Sequence, residues 1–417
     1  MRHVLLVGGG SPLPQRIRSL RDPVRTSVMV RNRNFGDVPE PGENVRVLGM
    51  RDEAPAEEWV RTAAAIHECD PFDGIGAFAE DDQDKAAAIA AKLGLRFHAV
   101  GTVESVYDKL RMRERLAAAG VETVPAVAVE SADDVRAFAR QVGYPVIVKP
   151  RTGTGSAGVV AVRAEPDVAE AVDWAVGTGV HGNRLVMAEP LLTGRELTVE
   201  AFSEDGVHRL VGTTQKSRSP RHYVDVGHWM PATLRPDETD LVWSHVARML
   251  DALGIGYGPT HTELILTGAG PRVVETHIRC AGDHLPVLAQ DVRGVDLYEL
   301  TARQVAGERV LPVLDQQLAN PASGGAAVWY AAPAARGVLV SVDNLAEAQA
   351  LEGVRAIEVL VPQGSDFDGI RVSDSFGRVV GCRAVGPDGE RAARTAREAL
   401  AALVFAVRCT VTDNDFD

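Results

Sequence analysis

At 417 residues the chain is longer than one hydrophobic core usually organises, so about two to four domains are expected. Hydrophobic residues make up 45% and charged residues 24%, the balance of an ordinary globular protein rather than of a disordered one. A formal net charge of −13 argues against binding nucleic acid or an anionic membrane through a broad basic surface, so the basic groups that matter must act locally.

Val4 to Val7 reads as a buried parallel strand ending in Gly8-Gly9-Gly10, and apolar runs recur at Ser27 to Val30, Val45 to Leu48 and Gly74 to Ala79. With helical patterns between the later runs, they predict a doubly wound α/β domain over residues 1–101. The glycines after the first strand lack the third spaced glycine of the dinucleotide fingerprint, so a nicotinamide cofactor is not expected. The first apolar stretch is too short for a signal peptide, and no apolar run reaches the ~18 residues of a membrane span. Cys69, Cys280, Cys382 and Cys409 are scattered without paired spacing, which argues against a zinc site or a disulfide framework and fits a reducing cytoplasm.

Thr102 to Ala119 reads as one helix stopped by Gly120, with Lys109 midway along it. A compact α+β unit follows, with a helix at Ala132 to Val142, a strand into a glycine loop, a strand at Gly158 to Val162, a helix at Asp167 to Val176 and a strand at Leu185 to Glu189. It is small enough to move as a lid, and with the preceding helix it occupies residues 102–195. Residues 196–320 carry the acidic candidates. Residues 321–417 are strand-rich, with a late helix at Glu390 to Phe405, and are expected to form a small separate domain.

The chain has only five lysines among its 44 basic residues, and three of them are Lys109, Lys149 and Lys216. A compact ammonium on an unbranched stem is the cation suited to a polyphosphate. Lys149 ends a β-branched strand before Gly153-Thr-Gly-Ser-Ala-Gly158, a loop whose backbone N–H groups can face an anion. It is not a Walker loop, because the lysine precedes the glycines, and taken alone a glycine hairpin turn explains it equally.

Thr262 to Arg279 contains two alternating runs joined by Gly268-Ala269-Gly270, the pattern of an antiparallel hairpin. A turn centred on Ala269 places Glu263 directly opposite Glu275. Opposed like charges destabilise a strand pair unless something holds them, and a divalent cation would. Strand alternation puts His277 and Arg279 on the face of Glu275. A solvated, ion-paired face is the common alternative for such a hairpin, and the nearby phosphate-type loop is what favours the cation.

The order of Lys109, Lys149 with its glycine loop, Glu189, Glu196, Glu263, Glu275 and Arg279 resembles the ATP-grasp superfamily over about residues 1–310. Gly227-His-Trp-Met-Pro-Ala, Glu275-Thr-His-Ile-Arg-Cys-Ala-Gly-Asp-His-Leu-Pro and Val295-Asp-Leu-Tyr resemble the carboxylate–amine ligases that include the L-amino-acid ligases. The resemblance implies an ATP-grasp fold with a Rossmann-like pre-ATP-grasp domain at the N-terminus. It implies ATP and magnesium, with manganese as the alternative ion.

By the same resemblance Lys109 and Lys149 hold the α- and β-phosphates beside Gly155 and Ser156. The Met187 to Leu192 hinge, which includes Glu189, reads adenine, Val159 and Ile265 flank its ring, and Glu196 binds the ribose. Glu263 and Glu275 hold the metal, and Arg279 steadies the charge on an acyl phosphate. His277 stands where most of the superfamily has asparagine, so it either ligates metal or orients substrate.

Lys216 reaches the γ-phosphate or the substrate, or is a solvent lysine in a loop. His228, Asp283 and His284 are substrate-pocket candidates or solvated loop residues, and Glu80 is a ligand residue at a strand end or a helix cap. The implied reaction joins a small carboxylate to an amine with release of ADP and phosphate, in a protein that forms homodimers. The alternatives are a biotin-carboxylase-like or purine-pathway-like ligase, or an ATP-binding regulator without turnover.

Overall fold

The structure is a computed structural model, and it describes residues 1–9, 12–77, 79–153, 155–177, 185–219, 223–333, 337–367 and 377–408. Gly10 and Cys409 lie outside the described residues, as does Thr154 of the glycine loop.

β1 (Arg2–Val7), β2 (Val24–Arg31), β3 (Arg46–Met50) and β4 (Gly74–Ala77) form a parallel sheet in the order β3-β2-β1-β4. These strands are apolar on both faces because helices cover both, and Leu5, Met29 and Ile75 are fully buried. The boundary expected at residue 101 falls inside the helix Val100–Tyr107.

The single helix expected from Thr102 to Ala119 is two helices, Val100–Tyr107 and Lys109–Ala118. Asp108 breaks it. Its backbone is extended (φ −105°, ψ 104°), and its carboxylate accepts the Leu110 and Arg111 N–H groups as an N-cap. The same carboxylate takes the Arg151 guanidinium, with Arg151 Nε 3.0 Å away. Lys109 therefore opens a helix instead of sitting midway along one, and its ammonium points back toward the glycine loop.

The lid is an antiparallel sheet in the order β5-β8-β6-β7, made of β5 (Val127–Val129), β6 (Val146–Pro150), β7 (Val160–Val162) and β8 (Val186–Pro190). Two helices, Ala132–Val142 and Val168–Gly177, bury Val135, Phe138, Val168 and Ala171 against it.

An eight-stranded antiparallel sheet organises the rest, in the order β13-β12-β9-β10-β11-β14-β18-β16. Its strands are β9 (Arg195–Glu204), β10 (Val207–Arg218), β11 (Asp225–Met230), β12 (Tyr257–Thr267), β13 (Gly270–His277), β14 (Gly325–Ala331), β16 (Val354–Val359) and β18 (Val380–Gly386). Alternation along β9 and β12 sends Leu197, Val199, Ala201 and Leu264 onto the helix Pro236–Leu253. The intervening residues Glu196, Thr198, Glu200 and Glu263 face the other way and are enclosed as well.

One expectation for the C-terminal part is corrected, the extent of its late helix. The described strands there divide between two sheets: β14, β16 and β18 extend the large one, and β15 (Gly337–Asp343), β17 (Asp366–Phe367) and β19 (Val404–Arg408) form a small sheet of their own. The late helix runs from Gly389 to Ala401, capped by Asp388, and Val404 and Phe405 belong to β19. The helix is alanine-rich up to Ala401, and the β-branched and aromatic residues beyond it prefer a pleated strand.

The join between β11 and β14 depends on a glycine. Gly227 pairs with Trp329, and a Cβ there would lie 2.2 Å from the Trp329 ring. Gly227→Ala should cost about 1–3 kcal/mol by overpacking and lower the thermal midpoint. Wild-type melting of this variant would contradict the continuous sheet.

Candidate active site

The lid sheet, the second linker helix and the large sheet line a common cleft. Lys109, Lys149, Ser156, Val159, Glu189, Leu192, Glu196, Lys216, Glu263, Ile265 and Glu275, all singled out from the sequence, line this one cleft. Gly153, Gly155 and Gly158 have φ of 116°, 68° and 76°, left-handed conformations that fold the loop over the cleft. Met187 does not line it. It is fully buried in the lid opposite Lys149.

Lys149 Nζ lies 2.6 Å from Glu189 Oε1, and Arg113 Nε donates to Glu189 Oε2 at 3.0 Å. Burial pushes the Lys149 ammonium below its ordinary pKa, and Arg113 adds to this, against the pull of Glu189. Burial would raise the Glu189 carboxyl, but Arg113 and Lys149 outweigh it and hold the group at about 2.

Glu263 and Glu275 are directly opposed, as the hairpin pattern predicts. The route differs from the one expected. The turn is tighter, with Thr267 paired to Gly270, and a bulge at Val274 shifts the register so that the glutamates still meet. Nor is the face a solvated one, since their side chains are only 14% and 16% exposed.

The remaining lysines supply the counter-charge. Lys216, which lies in β10 rather than in a solvent loop, puts Nζ 2.6 Å from Glu263 Oε2, 3.1 Å from Asp225 Oδ1 and 3.4 Å from Glu196 Oε1. Lys109 Nζ is 2.8 Å from Glu275 Oε2 and donates to Gly153 O at 2.9 Å. Burial disfavours every one of these charges, yet Lys216 and His261 bring the Glu263 carboxyl down to about 2. Lys109 and His277 hold the Glu275 carboxyl well below its usual range.

Beyond the cleft lining, Glu80 receives Arg279 Nε and Nη2 at 3.1 and 2.8 Å and lies 3.2 Å from His277 Nδ1. It is not a helix cap, because the helix Gln83–Leu93 is preceded by Asp82 at its N-cap. Burial would raise the Glu80 carboxyl, but His277 and Arg279 hold it at about 2. Asp283 and His284 line an open pocket with Tyr298, Tyr330 and Arg378. His228 Nε2 is 3.1 Å from Asp283 Oδ2, and Arg378 grips both Asp283 oxygens at 2.8 and 2.9 Å. His284 Nε2 faces Glu358 Oε2 at 3.4 Å.

Sequence reasoning missed Arg218, whose Nη1 lies 2.8 Å from Glu196 Oε2 and whose guanidinium sits over the Tyr223 ring, and also Glu200, His261 and Arg378. Arg218 follows Lys216 by two residues on one strand, so alternation could have found it.

The donor set suits magnesium. Two opposed, ionised carboxylates are held apart from solvent with ammonium groups on them as stand-in cations, beside lysines placed for phosphate oxygens. Among the described residues the group of three metal-type donors closing within 4.8 Å is a different one, Asp225, His228 and Asp283. Its two carboxylates are ion-paired as well, to Lys216 and Arg378.

Residues 142–286 match the ATP-grasp domain model, and residues 329–408 match the L-amino acid ligase C-terminal domain 2. The solved L-amino acid ligase from Bacillus licheniformis superposes with a TM-score of 0.81 at 19% identity, covering 98% of this chain and 99% of that one. An uncharacterized protein of Sinorhizobium fredii is 29% identical over 311 residues, which are 73% of this chain and 62% of that protein. The alanine–anticapsin ligase of Bacillus subtilis is 24% identical over 267 residues, 59% and 56% of the two chains. The chain thus spans under two thirds of the length of these two relatives. The L-arginine-specific L-amino acid ligase of Bacillus subtilis is 20% identical over 382 residues, 88% and 89% of the two chains.

The fold and the matched domain make this an ATP-grasp protein. More particularly, residues 329–408 match the C-terminal domain of the L-amino acid ligases.

Replacing Lys149 should weaken ATP binding by about 10–100-fold, the worth of a charge-assisted hydrogen bond, as read by calorimetry. Lys92→Ala, on the exposed side of the helix Gln83–Leu93, and Lys85→Ala, whose ammonium pairs with Asp84, should bind ATP as the wild type does. Equal losses at all three would remove Lys149 from the nucleotide site.

Proposed function

We propose that the protein joins a small carboxylate, an amino acid or related acid, to an amine at the expense of ATP. The observation that carries this reading is the pair of buried, opposed glutamates with lysines on their outward oxygens, next to an arginine fixed on a carboxylate of the N-terminal domain.

Carboxylates do not condense with amines at neutral pH, so the acid must first gain a leaving group. Transfer of the γ-phosphoryl of ATP to a carboxylate oxygen gives an acyl phosphate and ADP. The amine then attacks the acyl carbon, phosphate leaves, and the amide forms with loss of a proton. In such phosphoryl chemistry the protein contributes mainly position and charge.

Lys109 and Lys149 would exchange their carboxylate partners for phosphate oxygens, and Val159 and Ile265 would flank the base. Glu196, held by Lys216 and Arg218, would bind the ribose hydroxyls. Glu263 and Glu275 would hold magnesium, which when bound neutralises phosphate charge. Arg279, oriented by Glu80, would face the acyl phosphate and the tetrahedral oxyanion. The open pocket at Asp283 and Arg378 is the candidate pocket for an acid or amine. The lid would exclude water, which would otherwise hydrolyse the acyl phosphate. Among the described residues no helix is long and apolar enough to cross a membrane.

Hydroxylamine supplied in place of the amine should yield a hydroxamate in an ATP-dependent way, with ADP as the nucleotide product. AMP in its place would reject the acyl-phosphate route. Arg279→Ala should lose amide formation by about 10²–10³-fold while retaining ATP binding. An Arg279→Ala enzyme with normal turnover would remove the arginine from the mechanism.

A further inference from the structure

His261 and His277 lie two residues from Glu263 and Glu275 on the same face of the hairpin, and they are cross-strand partners of each other. Their rings are stacked, with centroids 5.8 Å apart and planes inclined by 17°. Each imidazole bridges two carboxylates. His261 Nδ1 is 2.7 Å from Glu200 Oε1, and its Nε2 is 3.6 Å from Glu263 Oε1. His277 Nδ1 is 3.2 Å from Glu80 Oε2, and its Nε2 is 3.4 Å from Glu275 Oε1. The oxygens of each glutamate are thus divided in the same way: Oε1 meets an imidazole and Oε2 meets a lysine.

The two kinds of partner differ in freedom. The lysines line the cleft on long stems and can exchange a carboxylate for a phosphate. The imidazoles are shorter and held at their far nitrogens, His261 by a hydrogen bond to Glu200 and His277 beside Glu80 at 3.2 Å. Glu200 is fully buried and its Oε1 also accepts from Thr198 Oγ1 at 3.2 Å, while Glu80 is clamped by Arg279.

We infer that Glu200–His261 and Glu80–His277 are paired positioning devices that fix Oε1 of each glutamate and leave Oε2 facing the cation, and that neither imidazole is itself a cation ligand. The inference rests on the proposed magnesium role of Glu263 and Glu275. Outer-shell partners of this kind typically change metal affinity by about 10–100-fold. For His277 the inference replaces the ligand role considered from the sequence, since both of its nitrogens already face carboxylates.

The test uses the full chain with ADP and Mn²⁺ as a paramagnetic probe. Glu200→Gln, which keeps the buried volume, and His261→Ala should each weaken Mn²⁺ binding by about 10–100-fold, with metal-free ADP affinity unchanged. Spin-echo spectra of bound Mn²⁺ should lack the nitrogen modulation of a coordinated imidazole. Modulation that disappears in His277→Asn would overturn the inference. Glu275→Gln separates the two claims. If it loses Mn²⁺ while Glu200→Gln and His261→Ala both bind normally, the positioning inference alone fails. If Glu275→Gln itself binds Mn²⁺ normally, the magnesium reading fails and the inference falls with it.

Discussion

Repulsion between Glu263 and Glu275, opposed across a buried hairpin, is the constraint that the rest of the site answers. Two such charges in contact cost on the order of a few kcal/mol at an effective dielectric of about 20, and burial adds a desolvation penalty to each. The hairpin does not avoid the clash. Its bulge at Val274 restores the opposition that the tight turn would have removed by one residue. The compensation comes from Lys109 at the start of a linker helix and Lys216 on β10, both outside the hairpin, and from the two imidazoles that the hairpin itself carries.

This explains why three separate parts of the chain converge. The lid supplies Lys149, the linker supplies Lys109, and the large sheet supplies Lys216 and both glutamates. The N-terminal domain enters through Glu80, which anchors Arg279 and His277 together. Arg113 ties the linker helix to the lid residue Glu189 and to Glu122, so the lid's lysine and the linker's lysine share a charged framework.

Much of this was legible in the sequence because it rests on short-range rules. Two alternating runs joined by glycines are enough to mark a hairpin that carries Glu263 and Glu275 on facing strands, although their exact opposition needs the bulge at Val274, and rarity of lysine marked Lys109, Lys149 and Lys216. What was not legible depends on distant partners. The break at Asp108 requires Arg151, forty-three residues away, to reward an extended backbone in an otherwise helical run. The joining of β14, β16 and β18 to the large sheet depends on Gly227 meeting Trp329, which no local pattern reveals. Glu200 and His261 were overlooked for a different reason. Counting back two residues from Glu263 reaches His261, but Glu200 joins it only through the β9–β12 pairing.

The central claim is that Lys109 and Lys216 stand in for a divalent cation on the glutamate pair until nucleotide draws them away. Mn²⁺ titration of the nucleotide-free protein, followed by electron paramagnetic resonance, tests it directly when wild type is compared with Lys109→Met and Lys216→Met. Removing a stand-in ammonium should make Mn²⁺ bind more tightly than in the wild type, by about tenfold for each ~1.4 kcal/mol of competition relieved. Binding that is unchanged or weaker in both variants would contradict the account.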